Sequence, residues 1–121
     1  MIKEIIEKYG VFWDSWVSEI LILDDEIHLL VTCPNILNND KYETIKLICK
    51  KIESFTINKK HLKVMPRLSG ALFIINEMND SIIMDLEPLD YYDYFKEDPN
   101  STFKIKCKKI DYKFIEEYID N

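Results

Sequence analysis

The sequence predicts a mainly β domain, α+β at the margin: an antiparallel sandwich or partly open barrel of about seven strands with a short N-terminal helix. Three observations carry this. Most of the apolar residues recur with a period of two, the signature of half-buried strands. Only two glycines occur in 121 residues, too few for the glycine-rich crossovers of parallel βαβ folds. Turn signals separate the alternating runs at close spacing, as in sheets built from hairpins.

The opening "IKEIIEKYG" places Ile2, Ile5, Ile6 and Tyr9 at helical spacing, with Gly10 as the C-cap. So short a helix has to dock on something larger. "WVSEILIL" and "IHLLVTC" then flank Asp24, Asp25 and Glu26 as two strands joined by a tight acidic turn. "PNILNNDK" reads as a loop. In "YETIKLICKKIESFTI", Ile45, Leu47 and Cys49 share a face until Lys50 and Lys51 break the register, so one bulged strand or two short strands fit. "ALFIIN" and "SIIMDL" form strands around a turn at Glu77 to Asp80. "STFKIKCKKI" alternates most cleanly, with Phe103, Ile105 and Cys107 on one face and Lys104, Lys106 and Lys108 on the other. The tail "YKFIEEYID" fits either a strand or a short helix.

A chain of 121 residues supports one core and one domain, residues 1–121. No apolar run approaches the roughly 20 residues that span a bilayer, and "MIKEIIEKYGVF" lacks the features of an export signal. Cys33, Cys49 and Cys107 are an odd, widely spaced set in strand-like contexts, expected as buried, reduced thiols. Together these point to the cytoplasm.

Neither metal nor cofactor is expected. His28 and His61 are the only histidines; they lie far apart with no neighbouring ligand, and read as surface or cross-strand residues. The acids between Asp85 and Asp98 do not follow the spacing of a calcium loop. No nucleophile elbow or glycine-rich phosphate loop is present, and the "RLSGA" around Ser69 lacks that context. Acids are abundant, so a pair of them is no evidence for glycoside hydrolysis. The expectation is a protein that is not an enzyme.

Charge is segregated beneath a net charge of -6. Seven acids lie between Asp80 and Asp98 against Lys96, while lysines crowd Lys41 to Lys63 and Lys104 to Lys113. The lysines read as solvated strand faces that discourage edge pairing. With no interleaved aromatics to stack bases, they do not suggest nucleic-acid binding. "DLEPLDYYDYFKEDPN" is different. Pro88 and Pro99 bracket it as loop or a single helical turn, Leu86, Leu89 and Phe95 are its candidate anchors, and Tyr91, Tyr92 and Tyr94 cannot all be buried by so short a segment. Tyrosine supplies contact area at low entropic cost and acids steer a cationic partner, so the segment reads as a protein-binding surface or as a solvated loop with one or two packed rings. Trp13 and Trp16 are the alternative anchors.

In the pieces "FWDSWVSEILIL", "IKLICKKIESFTI" and "FKIKCKKIDY", the chain resembles small all-β immunity proteins of bacterial polymorphic toxin systems, including contact-dependent inhibition. These pieces cover a little under a third of the sequence. Where such sequences often carry a glycine and a histidine near the entry, Ser15 and Trp16 stand here. The resemblance implies a cytoplasmic protein that binds and blocks one toxin domain, often a nuclease and therefore basic, at its active site or at an exosite. The resemblance carries over no site residues; from the composition of the acidic segment itself, Asp85, Glu87, Asp90, Tyr91, Tyr92, Asp93, Tyr94, Glu97 and Asp98 form the expected contact surface for the toxin. The alternative is a β-module that self-associates through strand edges and the apolar residues Ile20 to Leu23.

Overall fold

A computed structural model describes residues 2–63, 66–87 and 97–119. Helix α1 (Ile2–Tyr9) leads into β1 (Ser15–Ile22), β2 (Glu26–Asn35), β3 (Lys41–Ile57), α2 (Lys59–Lys63), β4 (Arg67–Leu68), β5 (Leu72–Asn76), β6 (Ser81–Asp85) and β7 (Phe103–Glu117). The seven strands form one antiparallel sheet in the order β4-β1-β2-β3-β7-β6-β5, curled into a half-barrel. Of the two architectures expected, the partly open barrel is the one observed. A single sheet curls to bury one face, and no second sheet is packed against it among the described residues.

The alternation in sequence explains the curl's contents. Ile27, Cys49 and Ile110 fall in one cross-strand row, and Leu29, Leu47 and Tyr112 in the next. All but Tyr112 are almost fully buried. Each such aliphatic side chain contributes about 1.5–3 kcal/mol when fully removed from water. Helix α1 packs on β2 and β7 and adds Ile5 and Tyr9 to the core, followed by Phe12. Gly10 takes φ +60° and its N–H bonds the Ile6 carbonyl at 2.8 Å, ending the helix. A Cβ at that position would lie 2.8 Å from the Ile36 Cδ1, the end of an exposed side chain that can move aside, so it is the positive φ that calls for glycine here.

Strand β3 is one bent strand. Its pairing with β7 shifts register between Ile52 and Ser54, and Lys51 sits at φ 54° beside the shift. The tail continues β7 as strand to Glu117. Two expectations need correction. Pro34 and Asn35 belong to β2, paired with Tyr42 and Lys41, so the loop before β3 is only a 3-10 turn (Ile36–Asn38) and two residues with positive φ. His61 is buried rather than on the surface or across a strand pair, because α2 turns it inward against Phe103.

The three cysteines are free and buried. Burial and nearby Glu43 push the Cys33 thiol up, and a hydrogen bond with the Cys107 sulfur, then burial, hold Cys49 well above its ordinary value. The buried carboxylate of Glu43 accepts hydrogen bonds from Tyr9 (2.8 Å) and Asn35 (3.1 Å), which pins α1 to β2 and β3. Among the described residues, no helix is long and apolar enough to cross a membrane.

Candidate protein-binding surfaces

The acidic segment divides into described ends and a centre, Asp90, Tyr91, Tyr92, Asp93 and Tyr94, that lies outside the described residues. The candidate anchors Leu89 and Phe95 lie outside them too, whereas Leu86 is buried. Asp85 ends β6 and is 1% exposed. Its Oδ1 accepts from the Ser101 hydroxyl at 2.6 Å and the Glu87 N–H at 3.0 Å, while Oδ2 is buried with no hydrogen-bond partner among the described residues. Burial raises its pKa, opposed by those two donors. Asp98 is also buried, accepting the Asn100 N–H at 2.9 Å, and its carbonyl accepts from Lys104 at 2.8 Å. Both carboxylates are turned into the fold, where they fasten the ends of the segment. Glu97 is exposed and pairs with Lys104 at 3.0 Å.

Glu87 is half-buried and closes a small network. Its Oε2 lies 2.8 Å from His61 Nε2 and accepts from Thr102 at 2.8 Å; Thr102 Oγ1 is in turn 3.1 Å from the same histidine nitrogen. A histidine beside a hydroxyl invites a catalytic reading. Here the Nε2 faces the carboxylate as well as the hydroxyl, and the ring packs tilted on Phe103 with centroids 5.2 Å apart. This arrangement serves as a clamp joining α2 to both ends of the acidic segment.

A cleft of about 830 Å³ is lined by Trp16, Tyr42, Arg67, Glu117 and Tyr118, together with Asp40 and Lys41. Trp16 stacks on Tyr42 (5.6 Å, 23°) and meets Tyr118 edge-on (5.1 Å, 79°). The sheet positions these rings: the Tyr118 N–H bonds the Tyr42 carbonyl, and Tyr42 Oη donates to the Asp14 carbonyl. Arg67, the only arginine in the chain, is opposite Trp16 in the β1–β4 register.

The second opening is an apolar groove of about 780 Å³ between β5 and the N-terminal region. One wall is Gly70 to Asn76; the other is Ile6, Val11 and Trp13. Trp13 is 60% exposed and lies over Gly70, where a Cβ would stand 3.2 Å from the ring. The Ala71 N–H bonds the Val11 carbonyl at 2.6 Å and closes the groove at that end. Ile75 and, on the adjoining turn, Met78 are exposed. At a third place, Leu21, Ile22 and Leu23 expose apolar surface at the end of the β1–β2 hairpin.

Trp13 and Trp16 thus head two separate surfaces. Sequence reasoning missed Arg67, Tyr42 and Tyr118, which converge through strand pairing, and missed that "ALFIIN" is an edge strand. The one signal in the sequence was the absence of any charge from that strand. Among the described residues, no group of three or more histidine, cysteine, aspartate or glutamate side chains is placed to hold a metal ion. Comparison of the chain with protein-family models, curated proteins and solved structures gives no match.

Proposed function

We propose that this chain is a protein-binding module that binds and neutralises a cognate toxin domain without catalysis. The observation that carries the binding half is β5: an apolar edge strand bordered by the exposed Trp13 ring, in a protein whose other strands are paired or charged. Large rigid aromatics beside uncovered apolar surface are the usual anchors of protein interfaces. The toxin half rests on the resemblance in Phe12 to Leu23, Ile45 to Ile57 and Phe103 to Tyr112. The net charge of -6 suits a basic partner. The test is to sequence the neighbouring genes and, where one encodes a toxin domain, to coexpress the two. Restored growth and a 1:1 complex on purification are expected; full toxicity despite abundant folded protein overturns the reading.

A second reading, self-association, is favoured by the exposed Leu21 to Leu23 end of the hairpin. It predicts a concentration-dependent dimer in sedimentation equilibrium that Leu21→Lys with Leu23→Lys abolishes.

A further inference from the structure

We infer that the groove beside β5 receives one extended apolar segment of the partner, about five residues long and preceded by a lysine or arginine, which joins the sheet as an eighth, antiparallel strand. The identity of that partner rests on the toxin-binding reading; the mode of binding does not.

The backbone comes first. β5 is last in the strand order and pairs only with β6. Among the described residues, no backbone hydrogen bond reaches Leu72–Asn76 from the other side, the nearest being that of Ala71 to Val11. A strand so placed presents outward-facing N–H and C=O groups that another strand satisfies. Its side chains do nothing to prevent this. Leu72, Phe73, Ile74 and Ile75 are apolar on both faces, with no lysine, proline or register shift to discourage pairing.

The groove's size selects the occupant. A strand of five residues is about 17 Å long and fills about 4.8 Å by about 10 Å in cross-section, or about 800 Å³. The groove measures about 780 Å³. It is also walled on its far side by Ile6, Val11 and Trp13. A second copy presenting its own β5 would bring β6 behind it, into the space these residues hold. A single extended segment has no such second layer.

Charge places its cation, and the antiparallel pairing of every strand in the sheet sets its direction. No charged side chain lines the groove, but the Asn76 end adjoins Glu77 and Asp80, both exposed and neither in an ion pair among the described residues. Lys108 approaches this turn, yet its ammonium is bonded to the Asn79 carbonyl and paired with Glu53. In antiparallel pairing the residue opposite Asn76 is the segment's first, so a cation just before it meets the two acids.

The experiment uses a capped synthetic peptide of two lysines followed by five residues alternating valine and threonine, and the same composition with the lysines moved to the end. Hydrogen exchange of the whole protein should slow at Leu72–Asn76 with the first peptide. Ile75→Lys should weaken binding at least tenfold. Glu77→Lys with Asp80→Lys should weaken it severalfold and remove the salt dependence, and the reordered peptide should bind more weakly. Since Ile75 is 42% exposed, the variant should melt as the parent does; Trp13→Ala serves as a second probe of the opposite wall. Unchanged exchange at β5, or binding that survives both Ile75→Lys and Trp13→Ala, overturns the proposal. So does a dimer of the free protein that Ile75→Lys dissociates, because the occupant is then a second copy. Peptide protection at β5 in a protein that fails to neutralise the toxin supports the groove and refutes only the toxin reading.

Discussion

At one edge of the sheet, β4 is two residues long and carries Arg67, and the exposed remainder of β1 has a register shift between Val17 and Glu19 and the charge of Glu19 itself. At the other, β5 offers five residues with no charge, no proline and no shift. Short edge strands, charges and bulges are the standard means by which proteins avoid pairing edge to edge. This chain applies three of them to one edge and none to the other. The difference marks β5 as the open edge: the sequence that blunts the β4–β1 edge leaves β5 without any of these devices.

The largest way to break this contrast is to remove the support beneath β5. Phe103 is fully buried at the start of β7, next to the β6 strand that holds β5. Phe103→Ala should cost about 3–5 kcal/mol in urea unfolding, and hydrogen exchange should show β5 and β6 opening before β1 and β2. A uniform loss of protection would mean that the two edges share one cooperative unit.

Next is helix α1, which supplies Ile6 to the groove's opposite wall and is pinned to the sheet by Tyr9. Tyr9→Phe leaves buried Glu43 with one side-chain donor fewer and should cost about 1–3 kcal/mol. Tyr9 also fixes a pH dependence. Burial and then the Glu43 bond raise its folded pKa. Its contribution is therefore complete below the unfolded value of 10.0 and is lost as pH rises toward the folded one. Parent protein should lose stability above pH 10 more steeply than Tyr9→Phe.

Substituting Asp85 has a smaller effect, and a stabilising one, although its pKa is shifted in the same direction as that of Tyr9. Its folded pKa is raised above 3.8, chiefly by burial, so folding favours the protonated form. That contribution is present below pH 3.8 and is lost as pH rises through the folded pKa. At neutral pH the buried charge costs stability. Asp85→Asn keeps an acceptor for Ser101 and should raise the urea-unfolding free energy at pH 7, and with it the midpoint, by about 1 kcal/mol or less, and by less still at pH 3.5. A midpoint lowered at both values would show that the charge is needed to fasten the segment.

The smallest change tests the blunted edge directly. Glu19→Val should alter stability by no more than about 0.5 kcal/mol, yet light scattering should detect association that the parent lacks. If the variant remains monomeric, the bulge and the short β4 suffice to protect that edge.

Local patterns in the sequence were enough to place six of the seven strands in outline, but not the two-residue β4, nor to decide whether β3 is one strand or two or whether the tail from Tyr112 is strand. Phe103, Ile105 and Cys107 are buried as their alternation required, and the bulge in β3 follows just after the break at Lys50 and Lys51, between Ile52 and Ser54. Which strand lies beside which was not legible, because β3–β7 and β6–β7 pairing depends on contacts far apart in sequence. The edge status of β5 follows only from that order. His61 misled because a single histidine on a five-residue helix has no periodicity from which burial can be read. In the acidic segment, composition distinguished neither Asp85 nor Asp98 from exposed acids, since their burial depends on Ser101, Asn100 and Lys104 returning to the same place.

The position of β7 also has a consequence in time. It leaves the ribosome after every other strand, yet it takes the place between β3 and β6. Until it arrives, β3 has a long open flank and the β5–β6 hairpin is without its neighbour. Such long-range pairing makes for slow folding and for nascent chains that need shielding from aggregation. The sheet that carries β5 is thus completed only when β7, the last of the described strands, pairs with both β3 and β6.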